Sequence, residues 1–148
     1  MISSTGQGIR NDSEGSGYYG ARRGSRFHKG TDYLATPGQP IVAPFDMVLD
    51  RYSKPSDKPL IKNFIILKFA HKSGVKWSTP SGSGRMWYFT PIPELIGTFV
   101  SEGTEIGHAL DLNKFYHSRM LSHIHFQINS FDPEYWRQLT ELINKYQI

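Results

Sequence analysis

The sequence predicts a mainly β fold that ends in a helix and carries a groove on one face of its sheet. Three observations predict it. Gly 14 and Pro 9 among 148 residues mark many turns, which suits short strands better than a helical bundle. Within the strand expected over residues 121–129, His123 to Asn129 alternate strictly between polar and apolar side chains, as a strand buried on one face does. The chain then closes on a stretch of helical periodicity beginning at Asp132.

In chain order, residues 11–26 are rich in Gly, Ser and Arg and read as a loop that is ordered only if it packs on the site. The segment contains Gly15-x-Gly17-x-x-Gly20, literally the dinucleotide-binding pattern. No apolar strand precedes it, however, and Ala21-Arg22-Arg23-Gly24 follows where an amphipathic helix should, so that reading is rejected. Strands are expected over 41–50, with Val42, Phe45 and Val48, over the β-branched run 63–70, and over the aromatic run 85–90. Residues 52–59 and 78–84, with prolines and small residues, read as surface loops. Residues 98–106 read as a turn, Ser101-Glu102-Gly103, between short strands. At the end, Asp132 is a good N-cap and Pro133 suits the first helical position; Trp136, Leu139, Ile143 and Tyr146 form an apolar stripe expected to pack on the sheet. The length suits one domain over residues 1–148, and no internal repeat is evident.

Composition narrows the function. A net charge of +4 attracts polyanions without choosing among them, and the basic residues are scattered with no nucleic-acid recognition motif, so nucleic acid is not an expected partner. No stretch approaches a membrane span. Residues 1–24 are polar and lack the apolar core of a signal peptide, so a target outside the cytoplasm implies another delivery route. The absence of cysteine excludes disulfides, thiolate metal sites and cysteine nucleophiles; any zinc must sit on His, Asp or Glu.

On the alternating strand, Ile124, Phe126 and Ile128 point one way, and His123, His125, Gln127 and Asn129 point the other. The two imidazoles lie roughly 6.5–7 Å apart at Cβ, which lets one bind a metal while the other reaches a water on it. Upstream stands His28-Lys29-Gly30-Thr31-Asp32. In a straight strand His28 and Asp32 would be about 13 Å apart. Ligand atoms lie only about 2 Å from one ion, so the chain must bend between them, and Gly30 permits that bend. Two His and one Asp form the three-ligand set of a catalytic zinc site, with a fourth position for water. One zinc ion is expected before other divalent metals, although His/Asp ligation admits several. The metal lowers the water's pKa toward about 7 and polarises a carbonyl, and His123 is placed to act as general base.

These motifs resemble the lysostaphin-type (LytM-like) zinc metallopeptidase domain. The resemblance is carried by Gly8-Ile9-Arg10, His28-x-x-x-Asp32, Pro37-Gly38-Gln39-Pro40-Ile41-Val42-Ala43-Pro44, Gly103-Thr104-Glu105-Ile106-Gly107, His123-x-His125-Phe126 and Phe131-Asp132-Pro133, in order over nearly the whole chain. It implies an antiparallel sheet with the metal in a groove, His28, Asp32 and His125 as ligands, and His123 as a catalytic histidine. It also implies a peptidoglycan peptide as substrate, and so action at the cell wall or periplasm. The family carries a second catalytic histidine two residues after a tyrosine in a central strand. Here Arg85-Met86-Trp87-Tyr88-Phe89-Thr90 puts Thr90 in that place. The strand is similar to that of the leukocyte cell-derived chemotaxin branch, which also lacks the histidine and acts in secreted signalling. Losing one transition-state stabiliser costs on the order of 10²–10³ in rate. Two functions therefore follow: a zinc endopeptidase acting on peptidoglycan, or a catalytically silent zinc module that binds a cell-wall, glycan or protein partner. Substitute catalytic or substrate-binding groups are Tyr88, Thr90 itself, His117 in the loop before His123, and Arg26 beside Arg22 and Arg23. His108 and Tyr116 are further candidates; for these, as for Tyr88 and His117, an ordinary surface or packing role is the favoured reading, and His71 reads as surface alone.

Overall fold

A computed structural model of the chain describes residues 1–52, 74–79, 82–114, 119–129 and 131–146. The Gly/Ser/Arg-rich segment forms two small antiparallel ribbons: β1 (Asn11–Asp12) with β2 (Gly15–Ser16), and β3 (Arg22–Arg23) with β4 (Arg26–Phe27). The main sheet has six strands, each antiparallel to its neighbours. Its order is β11 (Phe99–Val100), β7 (Met47–Tyr52), β8 (Gly74–Thr79), β9 (Gly82–Trp87), β13 (His123–Ile128) and β5 (Thr31–Leu34). A second antiparallel sheet has the order β10 (Phe89–Pro91), β12 (Glu105–Ala109), β6 (Pro40–Val42).

One apolar cluster joins the two sheets. Leu49, Val75, Met86, Ile124 and Phe126 from the main sheet are buried together with Ile41, Phe89 and Ile106 from the second. The expected alternation on β13 is thus realised, with Ile124 and Phe126 in the core and the histidines on the far face. Burying one face of each sheet removes large apolar side chains from water, at roughly 1.5–3 kcal/mol apiece for residues of this size.

Several expected elements are divided or replaced. The run 41–50 is two strands, because the chain leaves the second sheet after β6, passes through Ala43–Pro44, and enters the main sheet as β7. The run 85–90 is likewise divided, at Tyr88, whose φ of 74° takes the chain from β9 into β10. Of residues 78–84, expected as a surface loop, Ser78–Thr79 end β8 and Gly82–Gly84 begin β9, paired Ser78 to Ser83 and Thr79 to Gly82; residues 80–81 lie outside the described residues. Small residues are needed there by packing as well as by turning: a Cβ at Gly84 would lie 2.1 Å from the Gln127 carbonyl oxygen and 2.5 Å from the Trp77 ring. The turn at Ser101–Gly103 is present, but the strands it joins, β11 and β12, lie in different sheets. The expected strand 63–70 and all but Tyr52 of the expected loop 52–59 lie outside the described residues.

The C-terminal helix, α1 (Pro133–Tyr146), starts as expected, with the Glu134 amide donating to Asp132 Oδ1 at 2.9 Å. Its apolar stripe is not laid on the sheet: Trp136, Ile143 and Tyr146 are exposed, and only Pro133 is buried. The helix is held by its first turn instead. The buried Tyr33 hydroxyl donates to Glu134 Oε2 at 2.7 Å, and Arg137 Nε donates to the same carboxylate at 2.9 Å. Burial and the Glu134 carboxylate push the Tyr33 hydroxyl far above its ordinary value, so it remains a donor. Burial opposes ionisation of Glu134, but the Arg137 and Tyr33 hydrogen bonds prevail and hold it below its ordinary 4.5.

Tyr33→Phe should lower stability by about 1.5–3 kcal/mol in urea unfolding, the usual range for a hydrogen bond to a charged partner. Because the folded Glu134 pKa lies below 4.5, its contribution is fully present above that value and is lost as pH falls through the folded value. The acid-side fall in Tm should therefore be shallower in Glu134→Gln than in the native chain.

Candidate metal centre

A single cross-strand row builds most of the site. β13 pairs with β5 on one side and β9 on the other, which sets Asp32, His125 and Trp87 directly opposite one another. Opposed residues of antiparallel strands project to the same face, so a carboxylate, an imidazole and an indole stand side by side. Trp87 stacks on His125 with ring centroids 4.8 Å apart. His28 arrives from the connection between β4 and β5, where the chain bends at Gly30 as the spacing requires. The reason for glycine differs from the expected one. Gly30 has no positive φ; a Cβ there would meet the Phe126 carbonyl oxygen at 2.6 Å and His125 Nε2 at 2.8 Å.

Three atoms converge: His28 Nε2, Asp32 Oδ1 and His125 Nδ1. The ring nitrogens are 3.1 Å apart, and the carboxylate oxygen lies 3.3 Å from His28 and 2.9 Å from His125. Ligands at about 2.0–2.1 Å from a tetrahedral zinc would lie roughly 3.3 Å from one another. The remaining nitrogen of each ring is already committed. His28 Nδ1–H donates to the Tyr18 carbonyl oxygen at 3.0 Å, and His125 Nε2–H donates to Gln127 Oε1 at 3.2 Å. Each ring therefore turns a lone pair toward the centre. Three lone pairs facing one point with no proton among them suit a cation, and the residues fit a zinc ion.

Behind the carboxylate stands a buried cation. Arg10, 4% exposed, donates from Nη2 to Asp32 Oδ2 at 3.2 Å and from Nη1 to Asp12 Oδ1 at 2.9 Å. Arg23 Nη2 lies 3.7 Å from Asp32 Oδ2. Main-chain bonds fix this arrangement: Arg10 N–H to the Asp32 carbonyl, Gly17 N–H to the Arg10 carbonyl, and Asp32 N–H to the Gly17 carbonyl. Burial opposes ionisation of Asp32, but its His125, His28 and His123 neighbours outweigh that cost and hold it well below the usual carboxylate range. The Gly15–Gly20 segment that mimics a nucleotide fingerprint thus serves as a strap over the site.

His123, also 4% exposed, donates from Nδ1 to the Leu121 carbonyl at 2.8 Å, which leaves Nε2 as an acceptor 3.7 Å from Asp32 Oδ2. Burial pushes its pKa below the ordinary value despite Asp32, so the ring is neutral at pH 7. The half-buried Tyr88 meets it edge-on, with centroids 5.2 Å apart. Thr90 is exposed on β10 and pairs across to His108, itself exposed and 3.0 Å from Glu105 Oε1. Arg26 is exposed on β4 and makes no ion pair among the described residues; Arg22 is exposed, and Arg23 is the arginine of this group that reaches the site. His117, Tyr116 and His71 lie outside the described residues.

Sequence reasoning assigned no role to Arg10, Gln127 or the Tyr18 carbonyl. Gln127 was visible on the polar face of β13, two residues from His125. Arg10 appeared only as part of the Gly8-Ile9-Arg10 motif. A backbone carbonyl such as that of Tyr18 leaves no side-chain signal at all.

No family model matches the chain. It is 33% identical to leukocyte cell-derived chemotaxin-2 of Bos taurus over 116 residues, 78% of this chain and 69% of that one. It is 32% identical to leukocyte cell-derived chemotaxin-2 of Mus musculus over 123 residues, 82% and 74% of the two chains. In structure it is similar to the catalytic domain of the prophage-encoded M23 protein EnpA of Enterococcus faecalis, crystallised as a point mutant. The TM-score is 0.50, covering 80% of this chain and 83% of that one; at 19% identity the likeness is one of fold.

Zinc titration should show one ion per chain. Gln127→Ala should weaken that binding about 10–100-fold, as expected when the partner that orients a ligating imidazole is lost. Arg10→Ala should cost about 3–5 kcal/mol in urea unfolding, because it leaves buried carboxylates without their cation.

Proposed function

The chain belongs to the lysostaphin-type (M23) metallopeptidase family, beside leukocyte cell-derived chemotaxin-2, and from that premise we propose that it is a zinc-dependent endopeptidase hydrolysing peptide bonds in bacterial peptidoglycan. In this reading His28, Asp32 and His125 hold one zinc ion and His123 is the catalytic histidine. The observation that carries it is the convergence of three lone pairs next to a buried, neutral imidazole whose Nε2 is free to accept. A bound zinc supplies Lewis acidity that polarises a carbonyl and eases ionisation of water. His123 Nε2 takes the proton of the attacking water and returns it to the leaving nitrogen, while Nδ1–H stays on the Leu121 carbonyl and fixes the tautomer. Tyr88 packs against the ring and restrains its orientation. The peptidoglycan substrate rests on the resemblance of the two histidine motifs.

Thr90 favours a second reading: a catalytically silent zinc module of the same fold that binds a cell-wall, glycan or protein partner. The side chain opposite Thr90 across the β10–β12 pair is His108, the first residue to consider as a replacement for the missing histidine.

Zinc-loaded protein should release peptides, seen as new free amines, from purified peptidoglycan. His123→Ala should hold one zinc and release at least about 10²-fold less, the lower end of the usual contribution of a general base. No release across several wall chemotypes, from protein holding one zinc, would decide for the silent module. Release abolished by His108→Ala with zinc retained would give His108 the missing role.

A further inference from the structure

Next to the metal row on the main sheet runs a basic one. The register sets Arg51, Lys76, Arg85 and Gln127 opposite one another across β7, β8, β9 and β13. Gln127 is the residue that holds His125, and the two are i and i+2 on β13, so the basic row shares the face of the candidate metal centre. With neighbouring strands about 4.8 Å apart, the cations stand in close file.

Like charges directly opposite one another destabilise an antiparallel pair. A bulge between Leu49 and Arg51 accommodates Asp50, which pairs with Arg51 at 3.0 Å. Lys76 and Arg85 remain face to face, with no ion pair among the described residues. With Ser78, Ser83 and Asn129 they line a cavity of about 280 Å³. Folding gains nothing from setting Lys76 against Arg85, whereas an anion between them relieves the repulsion.

The cavity suits one kind of anion. It is smaller than the roughly 300–1,000 Å³ of drug-sized ligand sites, so it takes a side chain or two. A guanidinium fork beside an ammonium matches a carboxylate. Asp50 within the row repels a dense polyanion but tolerates a single carboxylate. An extended chain rises about 3.3 Å per residue, which places Lys76 and Arg85 roughly three residues from His125 along a peptide crossing the sheet.

We propose that Lys76 and Arg85 form an anion subsite of the groove, holding a carboxylate of a peptide ligand near the metal centre. The inference rests on the metallopeptidase reading for the presence of a peptide in the groove, though not for its cleavage. The test uses the zinc-loaded His123→Ala chain, in which any turnover is suppressed at least about 10²-fold. It is titrated with labelled, end-blocked hexapeptides of alanine and glycine that carry one glutamate at successive positions, and with their glutamine counterparts. For at least one position glutamate should bind about tenfold tighter, a charge-assisted pair's difference. The preference should vanish in Lys76→Gln/Arg85→Gln with zinc still bound, and that variant's Tm should be unchanged or higher. Equal binding of the two peptide sets, a preference that survives the double substitution, or a fall in Tm would each overturn the proposal. So would inorganic polyphosphate binding more tightly than any peptide through the same two residues. The wall-release assay fails independently: glutamate preference without release keeps the subsite and loses the hydrolase, and release without preference does the reverse.

Discussion

A carboxylate buried beside two imidazoles needs a positive partner, and Arg10 is that partner. An ionised group taken out of water costs several kcal/mol unless it is paired and hydrogen-bonded. Asp32 has Arg10 on Oδ2 and the histidines on Oδ1, and Arg10 has Asp12 on its other nitrogen. The N-terminal ribbons follow from this pairing. They bring Arg10, Asp12 and Arg23 to a sheet edge that would otherwise present an unpaired strand β5, and their main-chain bonds run along that strand's amides and carbonyls. Asp12 also accepts from the Leu121 amide, whose own carbonyl receives His123 Nδ1–H. One chain of polar contacts thus passes from the ribbon through the ion pair to both histidines of β13.

What was legible in the sequence had a period or a chemistry. Strict alternation from His123 to Asn129 placed His123 and His125 on one face, and the structure keeps that register. The His-x-x-x-Asp spacing required a bend, and the bend lies at Gly30, although room for the His125 ring is what excludes a side chain there. Asp132 and Pro133 marked the helix start. What was hidden depended on partners distant in the chain. The apolar runs 41–50 and 85–90 each read as one strand because both halves are buried, and pattern alone cannot show that the two halves belong to different sheets. The helix stripe at Trp136, Ile143 and Tyr146 has the right period but stays exposed among the described residues, since periodicity reports an amphipathic face and not its burial. Ser78–Thr79 and Gly82–Gly84 read as loop because small, turn-forming residues also serve where two strands approach a ring closely.

The two faces of the main sheet divide the labour. One is closed by the second sheet over Leu49, Val75, Met86, Ile124 and Phe126. The other bears the ligand row and, one row over, the basic residues. Since strand side chains alternate, His125 is flanked by Ile124 and Phe126 and Lys76 by Val75 and Trp77, all in the core, so their backbone positions are set by packing they do not share.

The left-handed kink at Tyr88 carries the chain from the ligand-bearing sheet into the other, so Thr90 belongs to a different layer from Asp32, His125 and Trp87. The scaffold is therefore modular: a side chain at position 90 can be exchanged while the ladder that aligns Asp32, His125 and Trp87 keeps its register, so the group offered at that position is uncoupled from the geometry of the candidate metal centre.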